Sequence, residues 1–213
     1  MKIFQVLLFL TLAIPAVRAS VVKTVTVDTS ALGGLPNGPF FLGFELADGS
    51  GTGDGNNAVI LSNFQFGSGN ATGFPLILGS AFGDLSSTVT LTDADAASVF
   101  AQSFVSGNTL SFLLSFTTNV DAGGTPDEFI FSILDSTFTP IPTSSLSPLS
   151  PFLVIDLDSA NPAVQTFGAD SVPAPNIGDV ASVPEPSSAV LMGIPLAALA
   201  WASWRRLSAQ GLP

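Results

Sequence analysis

An apolar period of two residues runs through the middle of this chain and sets its fold class. Phe40, Leu42, Phe44 and Leu46 share one parity, with Phe41, Gly43 and Glu45 between them. Leu110, Phe112, Leu114 and Phe116 alternate mostly with Ser and Leu, and Phe129, Phe131 and Ile133 repeat the pattern within 128–135. Further runs fall at 21–28, 57–66, 89–91, 99–105 and 152–158. Residues two apart lie on one face of a strand, so each run offers one side to a core. Gly33-Gly34-Leu35-Pro36-Asn37-Gly38, Gly67-Ser68-Gly69-Asn70, Gly107-Asn108 and Gly123-Gly124-Thr125-Pro126 punctuate the runs as turns. The spacing predicts an all-β fold: an antiparallel two-sheet sandwich, jelly-roll-like, with phenylalanines between the sheets. Asp93 to Ser98 is expected to form a short helical turn capped by Asp93.

The two ends do not share this period. Lys2 precedes a mostly apolar run from Ile3 to Ile14, Pro15 interrupts it, and Val17-Arg18-Ala19 follows. One cation, a short apolar stretch and small residues predict a signal peptide over 1–19, cleaved by signal peptidase between Ala19 and Ser20. At the other end an apolar segment spans 189–204 and Arg205-Arg206 close it. As a helix it would reach about 24 Å, slightly short of a hydrocarbon core. Trp201 and Trp204 suit an interface, and the arginines can snorkel and hold their end in the cytoplasm. The reading divides the chain into a signal peptide (1–19), a sandwich domain (20–169), a linker (170–183), a sorting segment with its transmembrane helix (184–206) and a cytoplasmic tail (207–213).

Val183-Pro184-Glu185-Pro186-Ser187, then the apolar segment, then Arg205-Arg206, resembles the PEP-CTERM sorting signal of Gram-negative bacteria. The resemblance implies recognition of Pro184, Glu185 and Pro186 by exosortase, a membrane-embedded cysteine transpeptidase. It implies removal of the helix, as a lipid-anchor signal tail is removed, after a transient stay in the inner membrane. The tail from Leu207 to Pro213 is longer than is usual after the basic cluster. Independently of any family, Pro184 and Pro186 keep the approach extended and open to a processing enzyme. A plain C-terminal anchor on a proline-rich stalk is the alternative. The body also resembles a group of PEP-CTERM proteins of uncharacterised function, through 44–64 and the segments Gly124-Thr125-Pro126-Asp127 and Phe131-Ser132-Ile133-Leu134-Asp135. That likeness implies a shared fold and carries no activity.

Composition narrows the chemistry. The chain has no Cys, His or Tyr, which removes thiolate nucleophiles, imidazole bases and Ser-His-Asp triads. Between Ser20 and Val183 lie fifteen of the sixteen acids and only Lys23 among the five basic residues, a net charge of −14. Such a body repels nucleic acid. Glu45 and Glu128 are the body's two glutamates, and both belong to predicted strands with no fixed carboxylate pair between them. The expectation is therefore a non-enzymatic, exported protein of the cell surface or the extracellular matrix.

The densest polar feature is Asp48 to Asn57, with glycines at 49, 51, 53 and 55. Asp48, Asp54, Asn56 and Asn57 offer hard oxygens of the kind calcium takes, though not in an EF-hand frame. A solvated hairpin loop accounts for the same residues. Asp121 with Asp127, and Asp156 with Asp158, are lesser candidates. No cofactor is required, and calcium is the only one for which the sequence offers ligands. The rival function is a calcium-assisted module binding the exopolysaccharide of a biofilm matrix. Against it, both Trp residues lie in the removable tail, leaving Phe as the only aromatic platform.

Overall fold

The alternation closes into two antiparallel sheets in a computed structural model, which describes residues 20–120, 125–157 and 162–180. Ala19, Pro184, Glu185, Pro186, Arg205 and Arg206 lie outside the described residues, as do the segments predicted as signal peptide, transmembrane helix and tail. Asp121 and Asp158 lie outside them too.

The first sheet takes β1 (Val21–Asp28), β3 (Ala58–Gln65), β6 (Ala81–Gly83), β7 (Thr88–Thr92), β9 (Thr109–Phe116) and β13 (Asn176–Asp179), in the order β13-β1-β9-β3-β7-β6. The second takes β2 (Phe40–Ala47), β4 (Asn70–Ala71), β5 (Leu76–Leu78), β8 (Ala97–Val105), β10 (Glu128–Leu134), β11 (Leu153–Asp156) and β12 (Val164–Thr166). Its order is β12-β11-β10-β2-β8-β4, with β5 also paired to β8. Each long predicted run became a strand, because only a period of two places all its large side chains on one side.

Phe44 is the hub of the core. Its ring centroid lies 5.4 Å from Phe131, 5.7 Å from Phe112 and 6.2 Å from Phe100, so it joins three strands across both sheets. Register places these partners: Phe44 faces Phe100 on β8 and Phe131 on β10. Such offset and edge-on ring pairs add to the burial of the rings themselves.

The outer faces differ. On the first sheet Thr24, Thr26, Ser62, Thr90, Ser111 and Ser115 alternate with buried residues. On the second, β8, β2 and β10 instead offer Val99, Ala101, Gly43, Ile130 and Leu134 beside Glu45 and Ser132. Ile130 and Ala101 are buried although they belong to the outward parity.

Two expectations are corrected. The described part of the expected linker, residues 170–180, belongs to the folded body. Val172 is buried in the core, and β13 pairs with β1 from Lys23↔Asp179 to Thr26↔Asn176. Lys23, the body's lone cation, closes this edge on Asp179 at 2.7 Å. The helical turn at Asp93–Ser98 is also absent. β8 already starts at Ala97, and the Asp93 carboxylate is taken by a different segment's amide.

Candidate functional site

Asp48 to Asn57 connects the end of β2 to the start of β3, at one end of the sandwich. Asp48 and Asn57, at the two ends of the loop, are buried, while Ser50, Thr52 and Asp54 are exposed. Asp48 Oδ1 accepts the amides of Ser50 at 2.6 Å and Gly51 at 3.1 Å, and Oδ2 accepts that of Gly53. Burial acts to raise the Asp48 pKa, but the hydrogen bonds from Ser50, Gly53 and Gly51 outweigh it and hold the pKa below the usual carboxylate value. The glycines serve close approach. A Cβ at Gly49 would collide with the carbonyls of Thr125 and Pro126, and one at Gly53 with that of Ala94. Gly53 also holds φ at +73°, a left-handed conformation that favours glycine.

Beneath the loop, Asn57 ties four segments together. Its side-chain Nδ2 donates to Asp127 Oδ2 at 2.7 Å and to the Asn119 carbonyl at 2.9 Å. Its Oδ1 accepts from the Thr117 hydroxyl at 2.9 Å and the Asn119 amide at 2.8 Å. Its backbone N–H donates to both oxygens of Asp93. Asp127 in turn accepts the Gly49 amide on Oδ1 at 2.8 Å. Asp48, Asn57, Asp93 and Asp127 are all buried.

Asp93 and Asp127 are buried neighbours. Burial pushes the Asp93 carboxyl up to about 7; the Asn57 amide opposes this, and the neighbouring Asp127 reinforces it. A proton kept on Asp93 avoids placing a second negative charge in this low-dielectric site.

The structure thus brings Asp48 and Asn57 into one network but not onto one point. Asp54 is exposed and accepts from Asn56, through the amide at 3.0 Å and the side chain at 2.7 Å. Among the described residues no three acidic side chains converge as metal ligands. The residues that sequence reading missed are Asp93, taken as a cap, and Asn119. The pairing of Asp127 with Asp93 was missed as well. These contacts span sequence separations of 36 to 70 residues, which local patterns do not report.

A second feature lies on the outer face of the second sheet. A groove of about 260 Å³ has Gly43, Ala101 and Ile130 along it and Phe138, Pro140 and Leu149 beside it. Glu45 lines it, and burial raises its carboxyl. Burial also raises Glu128, helped by Asp156 and Glu45. Phe138 holds φ at +60°, unusual for a bulky residue, and lies 4.5 Å from the Phe41 ring. Phe41 and Asp48 sit near opposite ends of β2, so this aromatic is remote from the glycine-rich loop.

No protein family matches this chain, and neither a curated protein nor a solved structure does.

Proposed function

We propose that the chain is a non-enzymatic, exported protein of the cell surface or extracellular matrix, sorted by exosortase through its C-terminal signal. The observation that carries this reading is the ordered sequence of Pro184-Glu185-Pro186, apolar residues over 189–204, and Arg205-Arg206. It follows a body whose last strand among the described residues ends at Asp179. What the body offers agrees with a structural role. The loop carboxylates at 48, 93 and 127 are spent on holding backbone and side-chain amides, which leaves little for chemistry on a substrate. The Ser/Thr outer face of the first sheet suits weak, repeated contacts in a polysaccharide matrix. The strand order also supports a jelly-roll-like reading. β1, β9, β3 and β7 form one four-strand layer, β2 and β8 with β4 and β5 the other, and β6 and β10 to β13 extend the edges.

The test is replacement of Pro184, Glu185 and Pro186 by alanine in the protein's own host. The unaltered chain should appear outside the inner membrane without its apolar tail, and the variant should remain as a longer, membrane-held form. Equal mass and location for both would reject sorting by this signal.

A second reading, the calcium-assisted glycan-binding module, has one observation in its favour. The carboxyl groups of Asp93 and Asp127 are both buried beneath the loop, where a divalent cation would neutralise charge.

A further inference from the structure

Between Gly55 and Gly83 the chain has no charged residue, and the last third of that stretch is apolar: Phe74-Pro75-Leu76-Ile77-Leu78, then Ala81-Phe82. In a body of net charge −14 such a segment is expected in the core. It is instead on the surface. Phe74 is 97% exposed, Phe82 58% and Leu78 56%, with Leu76 and Ile77 also open. The segment forms β5 and β6, which lie against each other on the same side of the sandwich. β5 pairs only with β8, and β6 only with β7, so both sheets end here among the described residues.

Natural edge strands are usually guarded by charge, by bulges or by a covering segment. Here only brevity and Pro75 limit the edge, and no side chain along it opposes a partner electrostatically. We propose that β5 is the contact through which two copies of this chain pair, antiparallel and edge to edge, about a two-fold axis at Ile77.

Three observations select a second copy as the occupant. The first is sequence symmetry. Leu76-Ile77-Leu78 reads the same in both directions, so an antiparallel pair centred on Ile77 sets each Leu76 opposite the other copy's Leu78. A two-fold interface demands this self-complementarity. The second is charge. Two strongly acidic bodies repel, and this uncharged edge is where they approach at least cost. The third is area. At about 200 Å² per ring, Phe74 and Phe82 alone expose roughly 300 Å². Leu76, Ile77 and Leu78 extend this toward the roughly 600 Å² that each side of a weak specific interface covers.

Pairing would be short, because Pro75 lacks an N–H and Gly79 turns the chain away with φ at +62°. Backbone bonds would set register, while the leucines and Phe74 would supply most of the affinity. Leu76 and Leu78 share the outward parity of their partners Ala101 and Val99, which line the groove beside Glu45. The two second sheets would join into one, and the two grooves would open on the same face. The pairing stands or falls independently of export.

The test uses the full chain in mild detergent. Sedimentation velocity at about 100 µM, tenfold above a dissociation constant of roughly 10 µM for so small an interface, should show twice the monomer mass. Leu76→Lys with Leu78→Lys should return it almost wholly to monomer, a loss of affinity of at least about a hundredfold, with an unchanged circular dichroism spectrum. Both side chains are exposed, so folding is not at risk. The chain has no cysteine, so Ile77→Cys introduces the only thiol. Facing residues of an antiparallel pair are within reach of a disulfide. Oxidation should cross-link Ile77→Cys several-fold more than Gln165→Cys on β12. A monomer at the highest concentration, a dimer that survives both lysines, or equal cross-linking at the two cysteines would each overturn the pairing.

Discussion

The backbone N–H of Asn57 lies 3.0 and 2.9 Å from the two carboxylate oxygens of Asp93. This contact ties the start of β3 to the turn between β7 and β8. It also joins Asp93 to the Asp127 carboxylate through one asparagine, and so makes the end of the sandwich sensitive to protons.

The sign of that sensitivity follows from Asp93. Its pKa is raised to about 7 in the folded protein, against about 3.9 for an unperturbed aspartate. The folded state therefore holds its proton more tightly than the unfolded state. The resulting stability is fully present below about pH 4 and is lost as pH rises through about 7. Glu45 and Glu128, also raised, act in the same direction. Asp28, Asp48, Asp84 and Asp135, all lowered, take stability away only at more acid pH. Urea midpoints should thus rise as pH falls from about 8 to about 5, by a few kcal/mol in all. Asp93→Asn should flatten most of that rise. A wild-type midpoint that falls over the same window would contradict the raised Asp93 pKa.

Asn57 and Asp54, three residues apart in one loop, should respond very differently to truncation. Asn57→Ala leaves the buried Asp127 carboxylate and the Asn119 amides short of partners, at a cost of about 2–4 kcal/mol. Asp54→Ala removes only an exposed turn contact and should cost below about 0.5 kcal/mol. Chemical denaturation of the two variants measures the difference. Equal losses would mean that the network is not what fixes the loop.

The strands most legible in the sequence were those long enough to show a period. β1, β2, β8, β9 and β10 each carry seven to nine residues, and the parity of Phe44, Phe112 and Phe131 correctly placed them in the core. β5, β6 and β12 have three residues each, too few for a period, and β13 hides among Pro173, Pro175 and Gly178. The apolar residues of β5 and β6 would be read as core by composition alone. Their exposure depends on where the sheets end, a tertiary fact. In the loop, the sequence offered Asp48, Asp54, Asn56 and Asn57 as oxygen ligands for calcium. It could not say that Asp48 faces amides of its own turn, or that Asn57 reaches Asp127 across 70 positions.

Phe44 should be the most costly single truncation in the core. It touches Phe64, Phe100, Phe112, Phe129 and Phe131, and Phe44→Ala would leave a cavity that five rings on both sheets cannot jointly close. The expected loss is about 3–5 kcal/mol, read from denaturant midpoints. The exposed Phe74→Ala should stay within about 0.5 kcal/mol at concentrations where the chain is monomeric.

Where the folded body ends can be tested by truncation. A chain stopped after Asp170 loses the buried Val172 and β13, and exposes the outer edge of β1. It also leaves Lys23 without its 2.7 Å partner Asp179, a minor loss because Asp179 is largely solvated. A chain stopped after Val180 keeps all three. The shorter form should melt several degrees lower and bind more of a hydrophobic dye. Identical melting would restore 170–180 to the role of a plain linker.

Calcium separates the two readings of the glycine-rich loop. In the structural reading Asp48 is already satisfied by the amides of Ser50, Gly51 and Gly53, and Asp127 by Gly49 and Asn57. A cation would have to break those bonds to gain ligands. Millimolar calcium should therefore leave the melting midpoint of the body unchanged. A ligand that binds only the folded state at a hundred times its dissociation constant adds about 2.7 kcal/mol. A rise of several degrees that Asp127→Asn abolishes would thus transfer the loop to the calcium-assisted glycan-binding reading. The measurement is best made near pH 8, where Asp93 has lost its proton and competition with a cation is weakest.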